Sequence, residues 1–232
     1  MSQLGLSAVS GVTARHVSFV ETGRAQPSRE LLDRLADALD MPLRDRNDLF
    51  LAAGYAPPYR TSSLDDAEAE MVTAAIDRIL ASHEPHPGVV MDRHWNLLRT
   101  NHAADELFGA MLDLDGKDSP VNVLELIFSS DHLRPHVANW ETLAPALLAR
   151  ARREAVGGVP DAELGSMIER FDAQLRLEQL TSPPAHHGPI LDVAFHANGS
   201  VRRYFSTITT LGTATDVTLQ EIRIELFHPS DP

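Results

Sequence analysis

The chain has 232 residues, no cysteine and a net charge of −13, with 43% hydrophobic and 23% charged residues. This length allows one large domain or two modest domains with cores of their own. Without cysteine there can be no disulfide, thiol nucleophile or thiolate metal site. No apolar run reaches the roughly 20 residues of a membrane span, and the N-terminus lacks a signal-peptide pattern. We therefore expect a cytoplasmic protein that does not associate with membranes.

Charge is distributed unevenly along the chain. Residues 1–60 contain seven Arg and seven Asp or Glu, whereas residues 61–232 contain 13 Lys or Arg and 26 acids. The second region therefore carries the whole net charge. A neutral head beside an acidic body is compatible with DNA binding only if the arginines of the head cluster on one face. Charge alone does not separate this arrangement from an acidic protein that binds no nucleic acid.

Four short helices are predicted over the first 54 residues. The first is predicted over Ser2 to Ser10, Thr13 and Ser28 cap the second and third, and Pro42 opens the fourth. Gly11 and Gly23 stop the first two helices. The following stretch, YAPPYRTSS (55–63), reads as a linker because of its adjacent prolines and small polar residues. We therefore divide the chain into a first domain over 1–56, a linker over 57–64 and a second domain over 65–229.

The second domain begins with a helix over about 65–82. A strand at 89–91, a tight turn at 92–95 and a returning strand at 96–100 follow. Asn101 then caps a short helix that ends near Gly109. Residues 121–180 are helical in pattern, and we expect interruptions at Pro135, at Pro145 and at 157–160.

The C-terminal part of the second domain is predicted to be β-structure. Asn198-Gly199 is a strong hairpin signal between strands around 191–195 and 201–211. A last strand alternates, with Ile222, Ile224 and Leu226 predicted inward and Glu221, Arg223 and Glu225 predicted outward. Strands at both ends with helices between them predict one mixed sheet with helices on one face. The fold class is therefore α+β, an all-α head followed by a mixed α/β domain.

The helix after Thr13 has the two faces that a DNA-reading helix requires. Val17 and Val20 share the inward side, and the opposite side is exposed. One face holds such a helix to its scaffold while the other enters the major groove. The candidate DNA contacts are Arg15 for guanine, Thr13 and Ser18 for bases or phosphates, Phe19 for a thymine methyl, and Arg24 and Arg29 for phosphates. The alternative is an ordinary amphipathic helix in a helical domain.

Residues 2–28 read S-Q-L-x-L-S-x-x-S-G-V-T-x-x-x-V-S-x-x-E-x-G-x-x-x-P-S, and they resemble the Cro/repressor-type (XRE) helix-turn-helix. This resemblance implies a lambda-repressor-like head that binds a double-stranded DNA operator. It implies that Gln3 contacts a phosphate, that Gly11 forms the turn and that Glu21 is structural. The side chains that it places toward the bases are Thr13, Ala14, Arg15, Ser18 and Phe19. The longer stretch TARHVSFVETGRAQPSRE (13–30) resembles the MmyB-like transcriptional regulators, and this resemblance covers essentially the whole chain.

The head departs from its family in one respect. The family fold has five helices, and the first of them should precede Ser2, where this sequence has only Met1. We therefore expect an incomplete head, explained either by a truncated start or by poor folding. Gly5 inside the next helix costs about 1 kcal/mol relative to alanine. A missing first helix is expected to expose apolar faces around Leu6 and Val17.

Three stretches of the second domain resemble known sensor domains. VMDRHWNLLRTNHAADELFG (90–109) resembles the entry of a PAS-like domain. VNVLELIFSSDHLRPHVANWE (121–141) and RRYFSTITTLGTATDVTLQEIRIELFHP (202–229) resemble the MmyB-like ligand-binding domain. The resemblance implies a regulator that holds a small apolar, fatty-acid-like molecule between sheet and helices. We expect no other cofactor.

Candidate ligand contacts are mostly apolar, as in small-molecule pockets generally. The apolar candidates are Met91, Trp95, Phe108, Leu124, Phe128, Trp140, Phe195, Phe205 and Leu211. Candidates for binding a carboxylate head group are Arg134, His136 and Asn139. For each apolar residue the alternative is packing in the core, and for Arg134 it is a salt bridge.

The sequence contains no pattern typical of catalysis. Eleven histidines occur, but no HExxH motif, P-loop, G-x-S-x-G or G-x-G-x-x-G is present. We therefore expect no enzyme activity and no metal site. A homodimer is expected, because heads of this class bind paired half-sites about 34–36 Å apart. Two alternatives remain open at this point, namely a ligand-binding module that has lost DNA binding and a haem or flavin sensor.

Overall fold

The computed structural model describes residues 1–62, 70–109, 111, 121–156, 161–180, 192–197, 199–212 and 215–230. Contacts along the chain divide it into two units. The first unit consists of Met1–Ser62 together with Gly212–Gln220, and the second consists of Ser63–Leu211 together with Glu221–Pro232. The chain therefore enters the first unit twice.

The first unit consists of short helices with well-defined starts. Their bounds are α1 Gln3–Ser10, α2 Ala14–Glu21, α3 Arg29–Ala38 and α4 Leu43–Ala52. Ser2, Thr13 and Ser28 each accept a hydrogen bond from the backbone N–H three residues later, which is the usual geometry of an N-terminal cap. The predicted caps at Thr13 and Ser28 are thereby confirmed. Ser2, predicted as the first residue of α1, is its cap instead. Pro42 precedes α4 and provides no capping side chain.

Helices α1 and α2 are joined by a tight turn at Gly11. This glycine has a φ of 68°, in the left-handed region that residues with a Cβ rarely adopt. The core beneath the turn consists of Val12, Val17, Leu31 and Leu35, with Leu6 and Val20 packed against it. The expectation that Val17 is exposed is wrong, because only 2% of its surface is accessible, and Leu6 is half-buried. These side chains are covered by α3.

The second unit combines helices with one sheet. Its helices are α5 Glu70–Ser82, α6 His102–Gly109, α7 Val123–Phe128, α8 Trp140–Val156 and α9 Ala162–Leu177, with a short 3-10 helix at Arg134–His136. Its strands are β1 Gly88–Met91, β2 Leu97–Thr100, β3 Asp192–Ala197, β4 Ser200–Thr209 and β5 Arg223–Pro229. A last short helix, α10 Val217–Glu221, lies between β4 and β5. None of the described helices is both long and apolar enough to cross a membrane.

The five strands lie in the order β2-β1-β5-β4-β3. All pairs of neighbouring strands are antiparallel. The predicted α+β class is confirmed, but the expectation of a mixed sheet is wrong. Hairpins join β1 to β2 and β3 to β4, and a hairpin can only place its two strands antiparallel.

Both faces of the sheet are covered. Gly88 pairs with Leu226 on one face, and Val89 pairs with Glu225 on the other. Helix α5 packs on the first face, where a methyl group at Gly88 would lie 3.0 Å from the side chain of Leu80. The opposite face is covered by α8, since Arg150 of that helix bonds Glu225. The predictions of helices on one face and of an outward Glu225 are therefore wrong.

Helix α8 continues through Pro145, so the predicted interruption there is wrong. A proline in a helix loses one backbone hydrogen bond and disturbs the preceding turn. The surrounding residues Leu143, Ala144, Leu147 and Leu148 are all buried in the main core, and this packing favours a continuous helix. The predicted break at 157–160, the predicted helix start near Asp65 and the turn residue Asn198 lie outside the described residues.

Candidate functional site

The exposed side of α2 forms a compact polar and aromatic surface. Thr13 and Arg15 are exposed, and Ala14, Ser18 and Phe19 are half-buried. The guanidinium of Arg15 lies 5.2 Å from the centre of the Phe19 ring, one helical turn away. A cation–π contact of this kind restrains the guanidinium at the surface of α2.

The flanking candidates for DNA contact have partners within the first unit. Gln3 donates to Glu21 Oε2 at 2.5 Å and thereby links α1 to α2. Arg29 donates to the carbonyl of Ala56 at 2.7 Å. Arg24 is exposed. Gln3 and Arg29 each have further N–H donors, so a phosphate contact is compatible with these internal bonds.

A cavity of about 1040 Å³ lies in the second unit. It is bounded by one face of the sheet and by α6, α7 and α8. Most of its wall is apolar, and Phe108 contributes an aromatic cluster, with edge-to-face contacts to Phe195 at 5.7 Å and Phe227 at 6.2 Å. The described wall includes Val89, Met91, Trp95, Leu97, Phe108, Leu126, Ile127, Leu147, Val193, Phe195, Phe205 and Phe227. Its volume is at the upper end of the usual range for ligand pockets.

One part of the cavity wall is charged. Arg150 donates to both carboxylate oxygens of Glu225 at 3.1 Å, and the hydroxyl of Ser206 donates to Glu225 Oε1 at 2.5 Å. The guanidinium of Arg150 lies 4.6 Å above the ring of Trp95. Glu225 is only 7% exposed, so these protein donors replace the hydrogen bonds that water gives an exposed carboxylate.

Two further residues balance the charge of this cluster. Arg150 also bonds Glu154 at 3.0 Å, and Glu154 bonds Arg223 at 2.5 Å. Burial acts to lower the pKa of Arg150, but the carboxylates of Glu225 and Glu154 outweigh it and raise the pKa above its ordinary value. The cluster therefore contains two guanidinium groups and two carboxylates, and carries no net charge.

The structure brings some of the sequence-predicted ligand residues together. Met91, Trp95, Phe108, Phe195 and Phe205 line the cavity. The residues of the prediction that do not line it are Leu124, Phe128, Arg134, His136, Asn139, Trp140 and Leu211. Phe128, which is buried, instead stacks on Phe171 with ring centres 4.3 Å apart.

The three polar residues of that prediction lie elsewhere in the second unit. Arg134 forms two hydrogen bonds of 2.8 Å with Glu178 and lies 4.6 Å from the ring of Trp140. Asn139 bonds the backbone of β3, donating to Asp192 and accepting from Ala194. His136 is half-buried in the 3-10 helix. The structure thus shows Arg134 in a salt bridge within the protein, which is the alternative to binding a ligand carboxylate.

Sequence patterns did not indicate the charged wall. Glu225 falls on the polar phase of an alternating strand, and Arg150 has Glu154 one turn later, as on many solvated helices. Both patterns are typical of exposed residues. Ser206 and Glu225 both lie in predicted strands, and a pairing of these strands would place the hydroxyl near the carboxylate. The sequence does not reveal the register of that pairing.

The turn that carries Trp95 is fixed by hydrogen bonds. Trp95 is 1% exposed and has a φ of 70°, which is uncommon for a residue with a side chain. Asp92 Oδ1 accepts from the N–H groups of His94 and Asn96. His94 in turn lies 2.5 Å from Asp161, which also caps α9 by accepting from Leu164. Asp161 therefore holds both the turn and the start of α9.

We expect Asp161→Ala to lower the free energy of unfolding by about 2 kcal/mol, because it removes a helix cap and a charge-assisted bond. Urea denaturation followed by circular dichroism measures this change. Glu169→Ala is the control, since Glu169 is an exposed residue of the same helix. Equal stability of the two variants would contradict the role of Asp161.

The same residue gives the stability a pH dependence. Burial acts to raise the pKa of Asp161, but the Leu164 N–H, His94 and Arg93 outweigh it and lower the pKa below its ordinary value. A depressed carboxyl pKa stabilises the fold above the unfolded pKa of about 3.9, and this contribution is lost as the pH falls through the folded pKa. The difference between wild type and Asp161→Ala is therefore expected to shrink in acid.

The chain combines a small helical unit, in which a tight turn joins α1 to α2, with an α+β unit that contains a largely apolar cavity. Together with the two family matches that follow, these units indicate a ligand-responsive, DNA-binding transcription regulator. The profile of the MmyB-like transcription regulator ligand binding domain matches residues 72–232, and a helix-turn-helix profile matches residues 1–45. The chain therefore belongs to the MmyB-like transcription regulators, as its sequence predicted. Both matched families are regulatory. The comparison with curated proteins gives no match.

Proposed function

We propose that the regulator binds a small apolar, fatty-acid-like molecule in the cavity of a PAS-like second unit and changes its DNA affinity in response. The observation that carries this proposal is the cavity itself. It is large, mostly apolar and bordered by few polar groups. A cavity of this kind favours a ligand with a long apolar part, because burial of apolar surface contributes most of the binding free energy.

The charged groups of the wall suggest how an amphiphilic ligand is oriented. Arg150 is already neutralised by Glu154 and Glu225, so a carboxylate beside it would meet two like charges. Arg153 also borders the cavity, is exposed and forms no ion pair with any described residue. A carboxylate head group is therefore placed at the exposed border beside Arg153, with the apolar chain inside.

On the DNA side, the proposal assigns base contacts to the exposed side of α2. The residues are Thr13, Ala14, Arg15, Ser18 and Phe19. Gln3, Arg24 and Arg29 are assigned to phosphates. Two heads of a homodimer would read paired half-sites, as is usual for this class. The support for these assignments is the exposure of Arg15 and its stacking on Phe19.

The test measures DNA affinity with and without a defined probe. Fluorescence anisotropy is recorded for the DNA upstream of the protein's own gene, in a salt series, with and without dodecanoate. Dodecanol and dodecylamine are the comparison ligands. We expect dodecanoate to change the DNA affinity at least about fivefold, the lower end of typical allosteric coupling.

Two variants locate the probe in the cavity. Ala146 lines the cavity, so Ala146→Phe fills part of it and is expected to reduce dodecanoate binding at least about tenfold by steric exclusion. Arg153→Ala is expected to weaken dodecanoate but not dodecanol. The control is Ala162→Phe, at an exposed position of α9. Unchanged dodecanoate binding by Ala146→Phe would contradict the proposed site.

A visible absorption band in the purified protein would instead favour the haem or flavin sensor.

A further inference from the structure

A short segment lies within the residues matched by the ligand-binding family, but its contacts are with the first unit. The profile covers residues 72–232 without interruption, yet Gly212–Gln220 groups with Met1–Ser62. The chain leaves the second unit after β4 and returns to it for β5. Asp216–Gln220, which includes most of α10, is called the docking segment below.

The docking segment is hydrogen-bonded to Arg60 and Ser62, near the end of the Met1–Ser62 part of the first unit. Asp216 is 7% exposed and uses both carboxylate oxygens. Its Oδ1 caps α10 by accepting from Thr218 at 2.8 Å, and its Oδ2 accepts from the N–H of Ser62 at 3.0 Å. The Thr218 hydroxyl donates to the carbonyl of Ser62 at 2.7 Å, and the Val217 N–H donates to that of Arg60 at 2.9 Å. Val217 is completely buried.

The same segment supplies the cap that α4 lacks. Pro42, at the N-cap position of α4, has no side chain that can accept a hydrogen bond. The side-chain oxygen of Gln220 accepts from the N–H of Leu43, the first residue of the helix, at 2.7 Å. The first N–H groups of a helix have no partner within the helix, and capping them stabilises its start. Gln220 provides this cap from 177 positions away in sequence.

Helix α4 in turn is hydrogen-bonded to the loop that follows α2. Gln26 donates to the carbonyl of Ala53, at the end of α4, at 2.6 Å. The hydroxyl of Tyr55 donates to the carbonyl of Pro27 at 3.0 Å. Gln26 and Pro27 lie in the loop that connects α2 to α3. The position of α4 therefore determines where this loop can lie.

The strands on either side of the docking segment line the cavity. Ile208 of β4 and Glu225 of β5 are paired across the sheet, and both border the cavity. Strand β4 ends at Thr209, and β5 begins at Arg223. The docking segment is therefore flanked in sequence by two strands that border the cavity.

We infer that the docking segment is a positioning element of the DNA-binding unit, and that it carries the effect of cavity occupancy to α4 and the loop beyond it. Gln220 and Asp216 are its positioning residues. An occupant that favours one arrangement of β4 and β5 can shift the capping of Leu43 by no more than the difference in its affinity for the two arrangements. The part that concerns occupancy rests on the proposed function, whereas the part that concerns α4 does not.

The test uses the full chain and two substitutions at one position. Gln220→Ala removes the oxygen that caps α4, whereas Gln220→Glu keeps an acceptor and places a negative charge at a helix start, where it is favourable. Amide hydrogen exchange of Leu43–Arg46 is measured without any ligand. DNA affinity is then measured with and without dodecanoate, and dodecanoate binding is followed by tryptophan fluorescence.

We expect exchange at Leu43–Arg46 to be faster by about fivefold in Gln220→Ala and close to wild type in Gln220→Glu. We also expect Gln220→Ala to bind dodecanoate normally while its DNA affinity responds to dodecanoate less than about twofold. Unchanged exchange in Gln220→Ala, or a retained DNA response, overturns the inference. If wild type does not respond to dodecanoate, the proposed ligand class fails, and the exchange rates alone decide the role of Gln220.

Discussion

Replacing Glu225 by alanine is expected to lower the free energy of unfolding by about 3–5 kcal/mol, the usual cost of breaking a buried ion pair. Arg150 loses its bonds to both oxygens of Glu225, and the hydroxyl of Ser206 loses its acceptor. Glu154 then remains as the partner of both Arg150 and Arg223. The cluster keeps two positive charges against one negative charge, and the largely buried side chains are weakly screened by bulk solvent.

Urea denaturation, followed by circular dichroism, measures this loss. Glu141→Ala is the matched control, because Glu141 is an exposed carboxylate on α8. The double variant Arg150→Met/Glu225→Leu removes both charges, and we expect it to be less destabilised than Glu225→Ala, since no unpaired charge stays buried. If Glu225→Ala were no less stable than Glu141→Ala, the charged wall would have no structural role.

Substituting Arg15 by alanine is expected to weaken specific DNA binding by about 10- to 100-fold, because a bidentate contact to guanine is worth about 1–3 kcal/mol. The side chain is exposed on α2 and is held over Phe19 at 5.2 Å. This cation–π contact restrains the side chain before binding, which reduces the rotational freedom that is lost on contact with DNA. Fluorescence anisotropy at several salt concentrations measures the affinity.

Two further variants separate base reading from charge. Arg15→Lys keeps the charge but cannot form the planar pair of hydrogen bonds, and we expect it to recover little specificity. Arg34→Ala removes an exposed arginine from α3, and we expect it to change affinity less than about threefold through the general phosphate attraction. An equal loss in Arg15→Ala and Arg34→Ala would contradict the assignment of α2 as the reading helix. It would favour a module that has lost specific DNA binding.

The local chemistry of the sequence determined most of the elements. Thr13 and Ser28 cap helices that begin where the sequence predicts, and the first helix begins one residue after the predicted Ser2. Gly11 adopts the left-handed conformation that a glycine in a turn suggests. The motifs of both units also identified the family. These features depend on residues close together in sequence, so they can be inferred without knowledge of the fold.

Features that depend on register and on distant contacts were decided by the tertiary structure. Glu225 follows a solvent-facing pattern, yet it lines the cavity because β5 lies inside a sheet that is covered on both faces. The sequence predicts that Arg134 binds the carboxylate of a ligand, but the fold places Glu178 beside it and the two side chains form an ion pair. Gln220 caps a helix that begins at Leu43. No local pattern indicates such pairs, because the free energy that selects them comes from packing the whole chain.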